Sequence, residues 1–258
     1  MCILQTEACE LNAAGVCHVF GRPVLLKNQF VVVVEGLDGS GKSSLIALLR
    51  DAFMSKGLKV FLGDWFREKD VQRLAMVFNT QDQMSPEVLA AMHGVSTIFQ
   101  IKESRASDCE VVLWDRYIYS SFASCVNRGA SQELMKTIVG TVPTPNLAIL
   151  LSEDPSVCYE RIVQRKGLRF FESNIDRLFR GRIGEALEAF SKGQIPQTLL
   201  REVFVTAGHE WYTAIGSIME GICVYKVENF DLAKAASLVE RIVGAYSDST
   251  FDRPACTT

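Results

Sequence analysis

Histidine is scarce, with three in 258 residues, and none of the eight cysteines falls at C-x-x-C spacing. A structural zinc site needs clustered ligands, so this pattern argues against one. Scattered single thiols are instead those of a reducing compartment, and a cytoplasmic protein is expected. No apolar run approaches the roughly 18 residues that a membrane-spanning helix needs. The first residues carry neither a basic stretch nor a long apolar one, so no secretory signal is expected. An excess of basic charge is missing as well: the formal net charge is -3. Neither nucleic acid nor a membrane surface is expected as a partner. Internal repeats and low-complexity tracts are absent.

The chain does have ample apolar material. Hydrophobic residues make up 48% of it and charged residues 22%, enough to build a core without metals or disulfides. Five short apolar runs stand out: "FVVVVE" (30–35), "LKVFLG" (58–63), "EVVLWD" (110–115), "NLAILL" (146–151) and "ICVYKV" (222–227). Their brevity, with β-branched residues prominent in the first, third and fifth, predicts strands buried on both faces, as in a parallel sheet. Between them, 42–56, 84–105, 154–166 and 231–246 have helical spacing. Pro86 and Pro155 stand where a first helical turn tolerates proline. Strand alternating with helix predicts a doubly wound, five-stranded α/β fold. Residues 1–29 form an N-terminal extension matching no motif, 30–246 the domain, and 247–258 a tail. The stretch 164–220 shows no strand signal and opens on a cluster of arginines, including Arg165, Arg169 and Arg177. It reads as a solvated helix pair or, more sharply, as a basic lid over phosphates (about 164–184).

Gly36 to Ser43, "GLDGSGKS", fits G-x-x-x-x-G-K-[ST] between a predicted strand and a predicted helix, the context that confirms a phosphate loop. Gly36, Gly39 and Gly41 let backbone N–H groups converge, and the helix start adds partial positive charge. Lys42 reaches the β- and γ-phosphates, and Ser43 offers its hydroxyl to Mg²⁺. Asp115 and Arg116 end the third apolar run, at the edge of a parallel sheet where ligands bind. There Asp115 can hold hydrated Mg²⁺, and Arg116 can clamp a second anion. Asp38, inside the loop, either stabilises the turn or points at an acceptor hydroxyl. Trp65, Phe66 and Arg67 leave the second run at the same edge. They suit a stacked base and a phosphate, or a packed surface loop. His93, within a predicted helix, is a structural histidine or a substrate contact.

In combination, "VVVVEGLDGSGKSS", "LWDRYIYSSFA" and "VPTPNLAILLSEDPSVCYERIVQRKG" resemble the thymidylate kinase family of P-loop phosphotransferases. The resemblance spans roughly 30–172. It implies a P-loop kinase fold with a mobile lid, ATP and Mg²⁺ as cofactors, and transfer of the γ-phosphoryl group to a nucleoside monophosphate, most readily dTMP. Members of the family are commonly dimers, so a homodimer is implied too. Carried over by position, Gly36, Asp38, Gly39, Ser40, Gly41, Lys42, Ser43 and Ser44 surround the donor phosphates, with Ser43 and Asp115 at the metal. Arg116 and Arg67 hold the acceptor phosphate, Asp38 faces the acceptor sugar, and Tyr117 belongs to the same Asp-Arg-Tyr motif. The lid supplies Arg165 and Arg169. Some relatives carry a catalytic arginine at the position of Gly39, so here the lid must supply that charge.

The departures all fall on the acceptor side. The usual Arg-Glu-Pro-Gly loop is replaced by "GDWFREKD", His93 stands near a base-reading arginine, and Ser124 stands where many members stack an aromatic ring. The alternatives are a P-loop kinase acting on a nucleoside or a modified nucleotide, with Glu35 or Asp38 as its base, and a slowly hydrolysing nucleotide switch.

Overall fold

The structure is a computed structural model that describes residues 29–64, 85–165, 167–179, 182–219, 222 and 224–248. Trp65, Phe66 and Arg67, and the extension over 1–28, lie outside the described residues. The strands are β1 (Phe30–Gly36), β2 (Val60–Asp64), β3 (Val111–Asp115), β4 (Leu147–Ser152) and β5 (Val224–Glu228). They form one sheet in the order β2-β3-β1-β4-β5, with every neighbouring pair parallel. Each strand falls within two residues of its expected position.

The helices are α1 (Lys42–Ser55), α2 (Pro86–Ala106), α3 (Ile118–Val126), α4 (Gln132–Val139), α5 (Pro155–Arg165), α6 (Phe170–Ser173), α7 (Ile183–Ser191), α8 (Gln197–Ile218) and α9 (Leu232–Asp248). Ser85 accepts a hydrogen bond from Val88 N–H and caps α2 ahead of Pro86. The last helix runs two residues into the stretch read as tail. Its final turn is anchored by Tyr246, whose ring lies 5.4 Å from Phe30 and 5.7 Å from Phe53.

β1 is buried along its whole length, so its two side-chain rows feed two cores. Val31 and Val33 join Trp114, Leu150, Phe122 and Ile215 on the face covered by α2, α3, α5 and α8. Val32 and Val34 join Leu113, Ile149, Phe53 and Val239 on the face covered by α1 and α9. With apolar layers on both sides, the inner strands β1, β3 and β4 need no polar alternation and read as continuous hydrophobic runs. Expected to be buried on both faces too, β2 and β5 are instead edge strands and partly exposed.

Among its described residues, the stretch 164–219 carries helices, turns and no strand, and it has a small core of its own. Phe170, Ile175, Ala186, Ile195, Leu200 and Val203 pack together there. A 3₁₀ turn, Ile175–Phe179, ties this unit to the main body: Arg128, just past α3, pairs with buried Asp176 at 3.1 Å and donates to Asn174 Oδ1 at 3.3 Å.

Candidate active site

The central sheet ends in a glycine turn because β1 must give way to α1 within a few residues. Gly39 has φ +84° and Gly41 φ +100°, values that disfavour any side chain. Space forbids one too. A Cβ on Gly39 would lie 2.4 Å from the Cys158 carbonyl oxygen of α5, and one on Gly41 2.5 Å from the Phe230 ring. The loop is therefore wedged between α5 and the turn after β5. Ser40 Oγ is buried in it without a hydrogen-bond partner among the described residues.

Lys42 opens α1 and is buried. Its ammonium donates to the Leu37 carbonyl at 2.8 Å and lies 3.7 Å from Asp38 Oδ1. Burial, helped by the positive charge of Arg116, lowers its pKa to about 8. The next residue, Ser43, donates from Oγ to Asp115 Oδ2 at 3.3 Å, joining the first turn of α1 to the end of β3. Two oxygen donors side by side at a phosphate loop fit a small hard cation such as Mg²⁺, which takes few protein ligands and keeps waters and phosphate oxygens for the rest.

Arg116 is the most constrained residue of the cluster. Its φ is +66°, in the left-handed region, where a non-glycine residue is strained. Its N–H donates to the Val34 carbonyl at 3.0 Å. Its guanidinium pairs with Asp38 Oδ1 at 3.0 Å and donates to Ser120 Oγ at 3.2 Å. The guanidinium carbon lies 5.9 Å from the centre of the Trp211 ring on α8. Burial opposes its charge, but Asp38 and Glu35 outweigh burial and leave the pKa raised.

Glu35 is fully buried on β1. It accepts from the Tyr117 N–H at 2.9 Å and from the Ser120 hydroxyl. Burial pushes its pKa up to about 7, against the opposing pull of Ser120 and Arg116.

Asp38, Lys42, Ser43, Asp115 and Arg116 thus converge at one sheet edge. Other residues singled out from the sequence are placed differently. The hydroxyl of Tyr117 donates to the Pro143 carbonyl at 2.8 Å, and its ring packs on Trp114 in the core, so only its backbone meets the cluster. His93 is buried in α2, with Nδ1 2.6 Å from Ser121 Oγ, and burial lowers its pKa to about 3. A neutral core histidine results. Ser124 is half-buried, and its carbonyl accepts from Arg128 at 3.2 Å. Arg165 ends α5 and Arg169 stands just before α6, both exposed. The chain leaves β2 toward Trp65 from a fixed point: the Gln100 amide accepts from Asp64 N–H at 3.0 Å and donates to its carbonyl at 2.7 Å.

The sequence did not single out Ser120, which bonds both Arg116 and Glu35, nor two further residues. Arg161, one turn before Arg165 on α5, donates to the Gly39 carbonyl at 3.3 Å and pairs with Glu153 at 2.9 Å. Its four-residue spacing from Arg165 was the available signal. Trp211 gave none, since nearly a hundred residues separate it from Arg116 along the chain.

The sequence pattern that defines the thymidylate kinase family matches residues 34–195. A probable thymidylate kinase of Pyrobaculum aerophilum is 34% identical over 145 residues, which are 55% of this chain and 73% of that protein. One from Staphylothermus marinus is 32% identical over 162 residues, covering 60% and 79%. One from Pyrococcus horikoshii is 30% identical over 156 residues, covering 57% and 76%. The matched region takes in the phosphate loop, Asp115, Arg116 and α5, and ends before α8.

Proposed function

The chain belongs to the thymidylate kinase family of ATP-dependent phosphotransferases, and we propose that it phosphorylates a nucleoside monophosphate, with dTMP the preferred acceptor. The observation that carries this reading is the pairing of two anion-binding elements at one sheet edge. Lys42 and the glycine loop suit the donor phosphates, and Arg116 suits a second anion. A nucleoside monophosphate brings that anion with it, whereas a free nucleoside or a slowly hydrolysing switch would leave the clamp without a task. Choosing dTMP among the monophosphates follows the names of the relatives.

Each residue then has a role. Ser43 and Asp115 would hold Mg²⁺, which when bound neutralises charge on the β- and γ-oxygens. Lys42 would draw the same oxygens toward the loop. Asp38 would turn toward the acceptor sugar, and Arg116 would fix the acceptor phosphate in line with the donor. Arg165, helped by Arg161 and Arg169, would supply the positive charge that Gly39 cannot. Phosphoryl transfer depends mostly on such positioning and charge stabilisation.

The nucleoside-kinase alternative needs a carboxylate free to act as base. Glu35 is poorly suited, because both of its oxygens already accept hydrogen bonds. No helix among the described residues is long and apolar enough to cross a membrane. A homodimer of the family's kind belongs to the same proposal.

One panel tests the reading: ATP, Mg²⁺ and each nucleoside monophosphate, deoxynucleoside monophosphate and nucleoside, with ADP release measured. Strong stimulation by dTMP is expected. Stimulation by free nucleosides alone would overturn the proposal.

A further inference from the structure

We propose that Glu35 is a positioning residue for the acceptor: it fixes the junction between β3 and α3, Arg116 to Ser120, and so aims the Arg116 guanidinium. The inference rests on the reading that Arg116 receives the acceptor's phosphate.

Glu35 is wholly inaccessible to solvent, so it touches no substrate. A carboxylate in that position is costly unless its oxygens are satisfied. Both are: one partner, Tyr117, caps the start of α3 just after β3, and the other, Ser120, lies in the first turn of α3. One oxygen takes the Tyr117 N–H at 2.9 Å, and the other takes the Ser120 hydroxyl. Ser120 Oγ in turn accepts from Arg116 Nη1 at 3.2 Å. A continuous path therefore runs from the Glu35 carboxylate through one hydroxyl to the guanidinium.

The backbone repeats the arrangement. Arg116 holds a left-handed φ of +66° that its side chain disfavours. Its own N–H is tied to the Val34 carbonyl at 3.0 Å, and the next N–H is tied to Glu35. Two consecutive amides of the strained junction are thus anchored to consecutive residues of β1, the most buried strand of the sheet. Trp211 and Asp38 then bracket the guanidinium. Glu35 works as a brace: without it, the Ser120 hydroxyl and the Tyr117 amide lose the partner that sets the junction.

The test compares wild type, Glu35→Gln and Ser120→Ala by steady-state kinetics, with dTMP and ATP varied separately. The acceptor KM should rise about tenfold in Glu35→Gln and about threefold in Ser120→Ala, while the ATP KM stays within about twofold. In an Arg116→Ala background, Glu35→Gln should add nothing, because its effect runs through the guanidinium. A purely structural loss would lower the active fraction, and with it kcat, without separating the two KM values. Equal changes in both KM values, or an undiminished effect of Glu35→Gln beside Arg116→Ala, would overturn the proposal. A crystal structure of Glu35→Gln separates this idea from the acceptor reading. A displaced Arg116 guanidinium supports the brace whatever the acceptor is, and an unmoved one overturns it. Wild-type ADP release that no nucleoside monophosphate stimulates would sink the acceptor reading alone.

Discussion

The hydroxyl of Ser43 donates to Asp115 Oδ2 across 3.3 Å, so residues 72 positions apart present two oxygens to one point beside the phosphate loop. The loop contributes the first and the neighbouring strand β3 the second. Asp115→Asn keeps the shape and removes the charge. Turnover should fall by about two orders of magnitude, the equivalent of about 2.7 kcal/mol of charge stabilisation. The Mg²⁺ concentration for half-maximal rate should rise with it. A titration of rate against Mg²⁺ checks both, and an unchanged half-maximal concentration would remove Asp115 from the metal site.

Arg165→Ala should lower kcat by about 100-fold or more while changing ATP affinity little, as expected of an arginine that acts on the transferring group. Arg161→Ala should behave differently. Its partners are the Gly39 carbonyl and Glu153, so its loss loosens the phosphate loop and weakens ATP binding as well. ATP dissociation constants by calorimetry, set beside kcat, distinguish the two. Equal losses of turnover and binding in Arg165→Ala would count against its catalytic role.

Gly39→Ala should lower both stability and ATP affinity. The substitution combines a positive φ with a Cβ placed 2.4 Å from the Cys158 carbonyl oxygen, a backbone atom that cannot rotate away. A cost of about 3 kcal/mol corresponds to a fall in Tm of about 6–12 °C in a domain of this size. For the same reason, Gly39→Arg should not restore a loop arginine. Thermal melts with and without ATP read the effect.

Glu35 makes stability fall as pH rises. Its folded pKa of about 7 lies above the ordinary 4.5, mainly through burial, so between these values the folded chain holds a proton that the unfolded chain has released. The cost of ionisation is complete above pH 7 and amounts to about 3 kcal/mol. Glu35→Gln never ionises. Its Tm relative to wild type should therefore climb by about 6–12 °C between pH 5 and pH 8. A constant difference across that range would show that Glu35 does not titrate as described.

His93 acts in the opposite direction at acid pH. Burial holds its pKa near 3, below the ordinary 6.5, so as pH falls through that window the unfolded chain takes up a proton that the folded chain refuses. Stability from this group is present above pH 6.5 and drains away toward pH 3. His93→Gln should flatten the loss of Tm between pH 6.5 and pH 5, measured by calorimetry. An unaltered slope would argue against a neutral buried imidazole.

Much of this molecule was legible along the chain. Short apolar runs marked all five strands: β1, β3 and β4 are buried and so apolar, while the edge strands β2 and β5 are partly exposed and were legible by brevity and spacing. The phosphate loop was legible because its requirements are local: glycines where φ is positive, then a lysine and a serine at the helix start. Asp115 and Arg116 could be found because the end of a parallel strand is itself a position in the fold. His93 and Tyr117 show the limit. His93 read as structural or as a substrate contact and Tyr117 as part of a motif, and only the Ser121 and Pro143 contacts show that both side chains face the interior.

The sequence by itself therefore determined the fold class and the position of the glycine loop, since periodicity and a contiguous motif both act over a few residues. Only the tertiary structure decided how the Arg116 guanidinium is held. Glu35 reaches Ser120, and Trp211 reaches Arg116, across sequence separations that no local pattern records. Such contacts come from the order in which strands pair and helices cover them. That order brings β1, the junction after β3, and α8 to one edge, where a buried carboxylate and a ring can hold a single guanidinium in place.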